Sequence, residues 1–171
     1  CGVTGFLGGE KSFNLNDSSP IINSMLNKIH HRGPDDHGYW SDSNKGVNLG
    51  HKRLSIVDLS KTGHQPMHSI SKRYVVVFNG EIYNHVRLRQ DLIKENKSSS
   101  WLGTSDTETL LAGFDAWGIE KTITNCIGMF SFAIWDNKKE ELILGRDRMG
   151  EKPIYYGWQS KNNNSCFLFG S

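Results

Sequence analysis

Apolar positions along the chain follow two rhythms, alternation and helical stripes, and these place the elements. Residues 1–9, "CGVTGFLGG", alternate small and apolar side chains and predict a strand that ends in glycines. Residues 17–33 predict a helix with Ser19 as N-cap and Pro20 at the first helical position; Ile22, Met25, Leu26 and Ile29 form its stripe and Gly33 stops it. "VNLGHKRLSIVD" (47–58) predicts a strand pair or a bent strand, and "TGHQPMHS" (62–69) a loop. "RYVVVFNGEIYN" (73–84) reads as two strands joined at Asn79-Gly80, the commonest hairpin dipeptide. Residues 85–96 predict a helix with Val86, Leu88, Leu92 and Ile93 as its core face, 97–105 a polar loop, and 106–119 a helix capped at Ser105 or Asp106. Residues 125–150 predict a hairpin around "DNKKEE", and 153–159 and 166–171 two further strands around "SKNNNS". Strands outnumber helices, which points to a layered α+β domain with mostly antiparallel sheets and no internal repeat or dividing linker.

The chain has 171 residues, a length that suits one domain with a real core. Its net charge is +2 with Lys and Arg scattered, so no basic block suggests nucleic acid. The longest apolar runs are far too short to cross a membrane, and the start lacks the basic and apolar regions of a signal peptide. A cytoplasmic location is the expectation. The chain stops just after a strand, which suggests a domain cut from a longer protein.

Three cysteines are too few for a disulfide framework. Cys126 and Cys166 lie in apolar, strand-like runs and read as buried free thiols. Seven histidines invite a search for metal ligands. His64 and His68 have helical spacing, but Pro66 between them argues against that helix, and no metal site is expected.

Cys1 stands apart because of its position. An N-terminal residue carries its own base, an α-amine with an ordinary pKa of about 7.7–8.0, so a thiol there needs no separate histidine. A start left by trimming is the bland alternative. Asn79-Gly80 is read first as a turn; its other reading is an amide donor beside a backbone N–H that a ligand can approach closely, which is an oxyanion hole. Arg53 lies among Leu54, Ile56 and Val57 and needs a partner. That partner is either an acid such as Asp58 or Asp147, or a substrate carboxylate. Asp106 is either a first-turn acid or a partner for a substrate ammonium, with Glu81 as a neighbouring carboxylate.

Cys1-Gly2-Val3, "HRGPD" (31–35), "GHKRLSIVDLSKTGHQPM" (50–67), "FNGEIYN" (78–84), "SDTE" (105–108), "GMFSFAIWD" (128–136), "RDRMGEKPIYY" (146–156) and "FGS" (169–171) occur in this order. Together they resemble the glutaminase domain of class II glutamine amidotransferases, with glutamine-hydrolysing asparagine synthetases as the closest branch. The resemblance covers residues 1–171. It implies a four-layer αββα sandwich of the N-terminal-nucleophile hydrolase type. It implies that Cys1 attacks the side-chain amide of L-glutamine and that Asn79 and Gly80 hold the oxyanion. It further implies that Arg53 binds the α-carboxylate, that Asp106 and Glu81 bind the α-ammonium, and that backbone groups near Leu54, Ile56 and Val57 line the pocket. No cofactor is implied in this domain. ATP and Mg would be held by a covalently linked synthetase domain absent from this chain, and the resemblance leaves room for a homodimer. Lys52 departs from the arginine common in the family. Asparagine synthesis is the first expectation for the parent protein. Amidation of another carboxylate, such as a sugar acid, is the alternative, and a non-catalytic regulatory domain or an amidase of the same fold acting on a different amide ranks below both.

Overall fold

Alternation along the strands builds two antiparallel sheets whose apolar faces meet. The computed structural model describes residues 1–8, 18–54, 61–97, 100–161 and 164–171. The first sheet has five strands in the order β2 (Asp36–Asp42), β3 (Val47–Arg53), β1 (Gly2–Gly8), β9 (Asn164–Gly170), β8 (Tyr155–Lys161). The second has four: β4 (Met67–His68), β5 (Tyr74–Ile82), β6 (Gly128–Asp136) and β7 (Glu141–Arg146). Val3, Leu49, Val75, Val77, Ala133 and Trp135 form the buried layer between the sheets. Helix α1 (Ser19–Lys28) covers the outer face of the first sheet through Ile22 and Leu26, which pack on Phe6 and Cys166. Helices α2 (His85–Lys94), α3 (Asp106–Trp117) and α4 (Ile119–Asn125) belong to the second sheet. There Leu88, Leu110 and Phe114 bury Val76, Phe78, Phe130 and Phe132. Each such aromatic contributes about 1.5–3 kcal/mol of burial. The layers therefore run helix, sheet, sheet, helix, the α+β arrangement expected.

Four local expectations are corrected, and one helix was not foreseen. Asn79-Gly80 is not a turn. β5 passes straight through it, with Phe78 opposite Phe132, Asn79 opposite Ser131 and Gly80 opposite Phe130. Both apolar flanks of the dipeptide find the same long partner strand, and that pairing overrides the local turn preference. Val86 and Ile93 are 57% and 49% exposed, because α2 turns only Leu88 and Leu92 inward. The N-cap of α1 is Ser18 rather than Ser19, and its hydroxyl donates to Asn48 Oδ1 at 2.5 Å and accepts no N–H from the helix. Cys126 ends α4 rather than lying in a strand, although it and Cys166 are buried free thiols as expected. α4 itself gave no periodic signal, since Thr122 is its one buried side chain.

Candidate active site

The site forms where β1, β3, β5 and the start of α3 come together. Cys1 precedes β1 and lies beside the end of β3. The Leu54 N–H donates to Cys1 Sγ at 3.4 Å, and the thiol can in turn donate to Leu54 O at 3.5 Å. An amide N–H aimed at sulfur favours the thiolate. The α-amine of Cys1 is held below its ordinary 8.0, first by burial and then by the positive charges of Arg32 and Lys152, with Asp35 opposing. More of this amine is therefore the free base near neutral pH than in a solvated terminus.

β5 supplies the opposing wall. Its ladder with β6 turns every second amide to the open edge. On that edge the Phe78 N–H donates to Gln65 Oε1 at 2.7 Å and the Ile82 N–H to Asp106 Oδ2 at 2.8 Å. The Gly80 N–H falls between them on the same edge. No side chain fits at Gly80, where a Cβ would stand 2.2 Å from the Met129 carbonyl oxygen. Asn79 faces the space between the sheets and is 3% exposed, and its Nδ2 is buried with no partner among the described residues. A buried amide donor left unpaired costs about 1–3 kcal/mol, so its retention calls for a reason.

Asp106 begins α3, where Ser105 caps the helix by accepting from the Thr107 N–H at 3.1 Å. Burial pushes the Asp106 carboxyl above the ordinary carboxylate value, and the Ile82 and Thr107 N–H groups and His85 limit that rise. Arg53 ends β3 and is 8% exposed. Of its two intramolecular candidates, Asp58 lies outside the described residues. Asp147 instead accepts from the Phe130, Glu151 and Lys152 N–H groups at 3.2, 2.9 and 3.0 Å.

Cys1, Arg53, Leu54, Asn79, Gly80, Glu81 and Asp106 all line one half-open cleft of about 660 Å³, its mouth included. Ile56 and Val57 lie outside the described residues. Lys52, by strand alternation, points away from Arg53 and does not line the cleft. Gln65 and Lys152 line it too, though the sequence pattern did not single them out. Gln65 stands before a proline in a stretch read as a plain loop, and Lys152 in a polar turn between Gly150 and Pro153, so neither carried a periodic signal. His64 pairs with Asp36 at 2.7 Å, and His68 stacks edge-on against Trp40. No helix among the described residues is long and apolar enough to cross a membrane.

A nucleophile with its own base, a buried amide donor, a cation and two carboxylates suit a zwitterion with an amide at its far end. A family model described as a glutamine amidotransferase domain matches residues 1–171. "Asparagine synthetase [glutamine-hydrolyzing] 3" of Bacillus subtilis is 38% identical over 173 residues, covering 100% of this chain and 26% of the relative. "Asparagine synthetase [glutamine-hydrolyzing] 1" of the same organism is 40% identical over 157 residues, 91% of this chain and 24% of the relative. "Amidase chry2" of Gibberella zeae is 39% identical over 163 residues, again 91% and 24%. The chain thus spans about a quarter of the length of these relatives.

Proposed function

The chain belongs to the glutamine amidotransferase domain family, and on that premise we propose that it hydrolyses the side-chain amide of L-glutamine through a thioester on Cys1. The Cys1 thiol gives its proton to its own α-amine, and the sulfur attacks the amide carbon. The developing oxyanion is taken by Asn79 Nδ2 and the Gly80 N–H. Collapse breaks the C–N bond, and the α-ammonium protonates the departing nitrogen, so ammonia leaves and the amine is again a base. Water, deprotonated by that amine, then attacks the thioester and releases glutamate and the thiol. Arg53 binds the substrate α-carboxylate, and Asp106 with Glu81 binds the α-ammonium. Leu54 completes the described wall of the pocket.

One observation carries this reading. Asn79 Nδ2 is a buried donor without a partner among the described residues, in the same cleft as a terminal thiol whose amine is held below its ordinary pKa. An oxyanion supplies the missing acceptor, and each such donor accounts for about 10²–10³ in rate. The ammonia would serve a linked ATP- and Mg-dependent domain that makes asparagine, in keeping with the Bacillus relatives. Amidation of another carboxylate is the second reading; the name amidase on the Gibberella relative accords instead with cleavage of a different amide on the same fold. We place the activity in the cytoplasm, where the free thiols Cys1, Cys126 and Cys166 stay reduced.

A diazoketone analogue of glutamine, followed by mass mapping, tests the assignment. Cys1 should be labelled and protected by glutamine. Labelling at Cys126, whose thiol burial pushes up to about 12, or at Cys166 would overturn it. Cys1→Ala should fold and release no glutamate.

A further inference from the structure

Phe78, the residue before Asn79, is held at both of its peptide groups by side chains from other elements. β4 pairs with β5 only at Val75 and Val76, so no strand reaches the outward-facing groups of Phe78. Gln65 Oε1 accepts the Phe78 N–H at 2.7 Å, and His51 Nε2 lies 3.0 Å from the Phe78 carbonyl oxygen. A carbonyl oxygen only accepts, so the tautomer is assigned: Nε2 carries the proton and Nδ1 is bare. Both side chains are buried, at 5% and 0% exposure.

The two contacts tie together the parts of the site. His51 is on β3, two residues before Arg53 and opposite Val3 of β1, which follows Cys1 by two. Gln65 Nε2 donates to Thr107 Oγ1 at 3.4 Å, beside Asp106 at the start of α3. One residue's backbone therefore joins the elements that carry the nucleophile, the carboxylate fork, the oxyanion donors and the ammonium acid. The arrangement is not what packing alone favours. His51 Nδ1 is buried with no partner among the described residues, a cost that a leucine would avoid.

We infer that His51 and Gln65 are positioning residues for the oxyanion edge: by fixing both peptide groups of Phe78 they place the Asn79 amide and the Gly80 N–H relative to Cys1. The inference rests on the glutaminase reading for what that edge does, but not for the clamp.

His51→Leu removes the donor, and His51→Gln restores an N–H of similar reach. In folded protein, His51→Leu should lower kcat for glutamine by about 10–100-fold with KM changed little, because donors out of place cost the transition state. His51→Gln should recover most of that loss. Alkylation of Cys1 by iodoacetamide, which needs no oxyanion edge, should keep its wild-type rate. In ¹⁵N spectra the Asn79 side-chain and Gly80 amide resonances should shift in His51→Leu while those of β8 stay in place. A merely structural histidine would instead lower the melting temperature, scatter the spectral changes and leave kcat of the folded fraction intact. Unmoved Asn79 and Gly80 resonances, or His51→Gln no better than His51→Leu, overturns the inference. If His51→Leu does not fold, Gln65→Met, which removes the acceptor at the cleft wall, is held to the same expectations. If the wild-type chain releases no ammonia from glutamine, the functional reading falls, and the amide resonances alone decide the clamp.

Discussion

Asn79→Leu should silence the site and leave the protein at least as stable as before. Asn79 is 3% exposed, and its Nδ2 has no partner among the described residues. The folded state therefore bears a desolvation cost of about 1–3 kcal/mol for that group. Leucine keeps the branch at Cγ, suits a strand better and has no polar hydrogen to satisfy. Set against imperfect packing of the new methyls, the net change in unfolding free energy should lie between zero and a gain of about 1 kcal/mol. A gain of that size would raise Tm by about 2–4 °C in a chain of this length. Activity should move the other way. Loss of one preorganised donor costs about 2.7–4 kcal/mol of transition-state stabilisation, a fall in kcat of about 10²–10³, with KM nearly unchanged. Urea melts give the first quantity, and glutamate release at saturating glutamine gives the second. Two results refute the reasoning. A loss of more than about 1 kcal/mol of stability would mean that the amide has a structural partner. A kcat within about fivefold of wild type would mean that it does not hold the oxyanion.

Three further outcomes follow from the same geometry. Because the Cys1 α-amine must be unprotonated to take the thiol proton, kcat/KM should rise with pH through a value below 8.0; Lys152→Met removes one of the charges that lower it and should move the rise to higher pH, and an unmoved pH profile would contradict that role. Gly80→Ala would put a Cβ 2.2 Å from Met129 O and 2.6 Å from Phe130 Cα, both backbone, so β5 and β6 must part; urea melts should show a loss of about 1–3 kcal/mol, and wild-type stability would refute the clash. Acid titration should weaken the fold through His51, whose buried ring titrates at about 3 against 6.5 when solvated; the unfolded chain binds that proton first, so stability falls as pH drops from 6.5 towards 3, by up to about 1.36 kcal/mol per pH unit, and His51→Gln should flatten this part of a urea-midpoint series.

Much of this was legible in the chain. The strands at residues 2–8 and 128–136 and the capped stripe of α3 matched the structure because burial marks them: both strands are buried along both faces and read as short apolar runs, and α3 buries enough of its surface to impose a period. The misplacements arose where that condition failed. α4 is too short and too polar to show a stripe. In α2, Val86 and Ile93 obeyed helical spacing, yet the neighbouring elements cover only the Leu88 and Leu92 side.

The site divides in the same way. Residue type and order were enough to nominate Cys1, Arg53, Glu81 and Asp106, since charge, nucleophilicity and an N-terminal amine belong to the residues themselves. The state of each group depended on the fold. Asn79-Gly80 lies in a continuous strand at the cleft rather than in a turn only because β6 pairs along the whole of β5. The α-amine of Cys1 is lowered only because burial, Arg32 and Lys152 meet there from separate parts of the chain. Gln65 and His51 come into play only because β4 stops short and leaves the Phe78 peptide groups to be met by side chains. The sequence by itself thus determined which chemistry was available and which faces had to be buried. Long-range pairing decided which polar groups were left unpaired, among the described residues, beside Cys1, because hydrogen-bond satisfaction depends on neighbours that are distant along the chain.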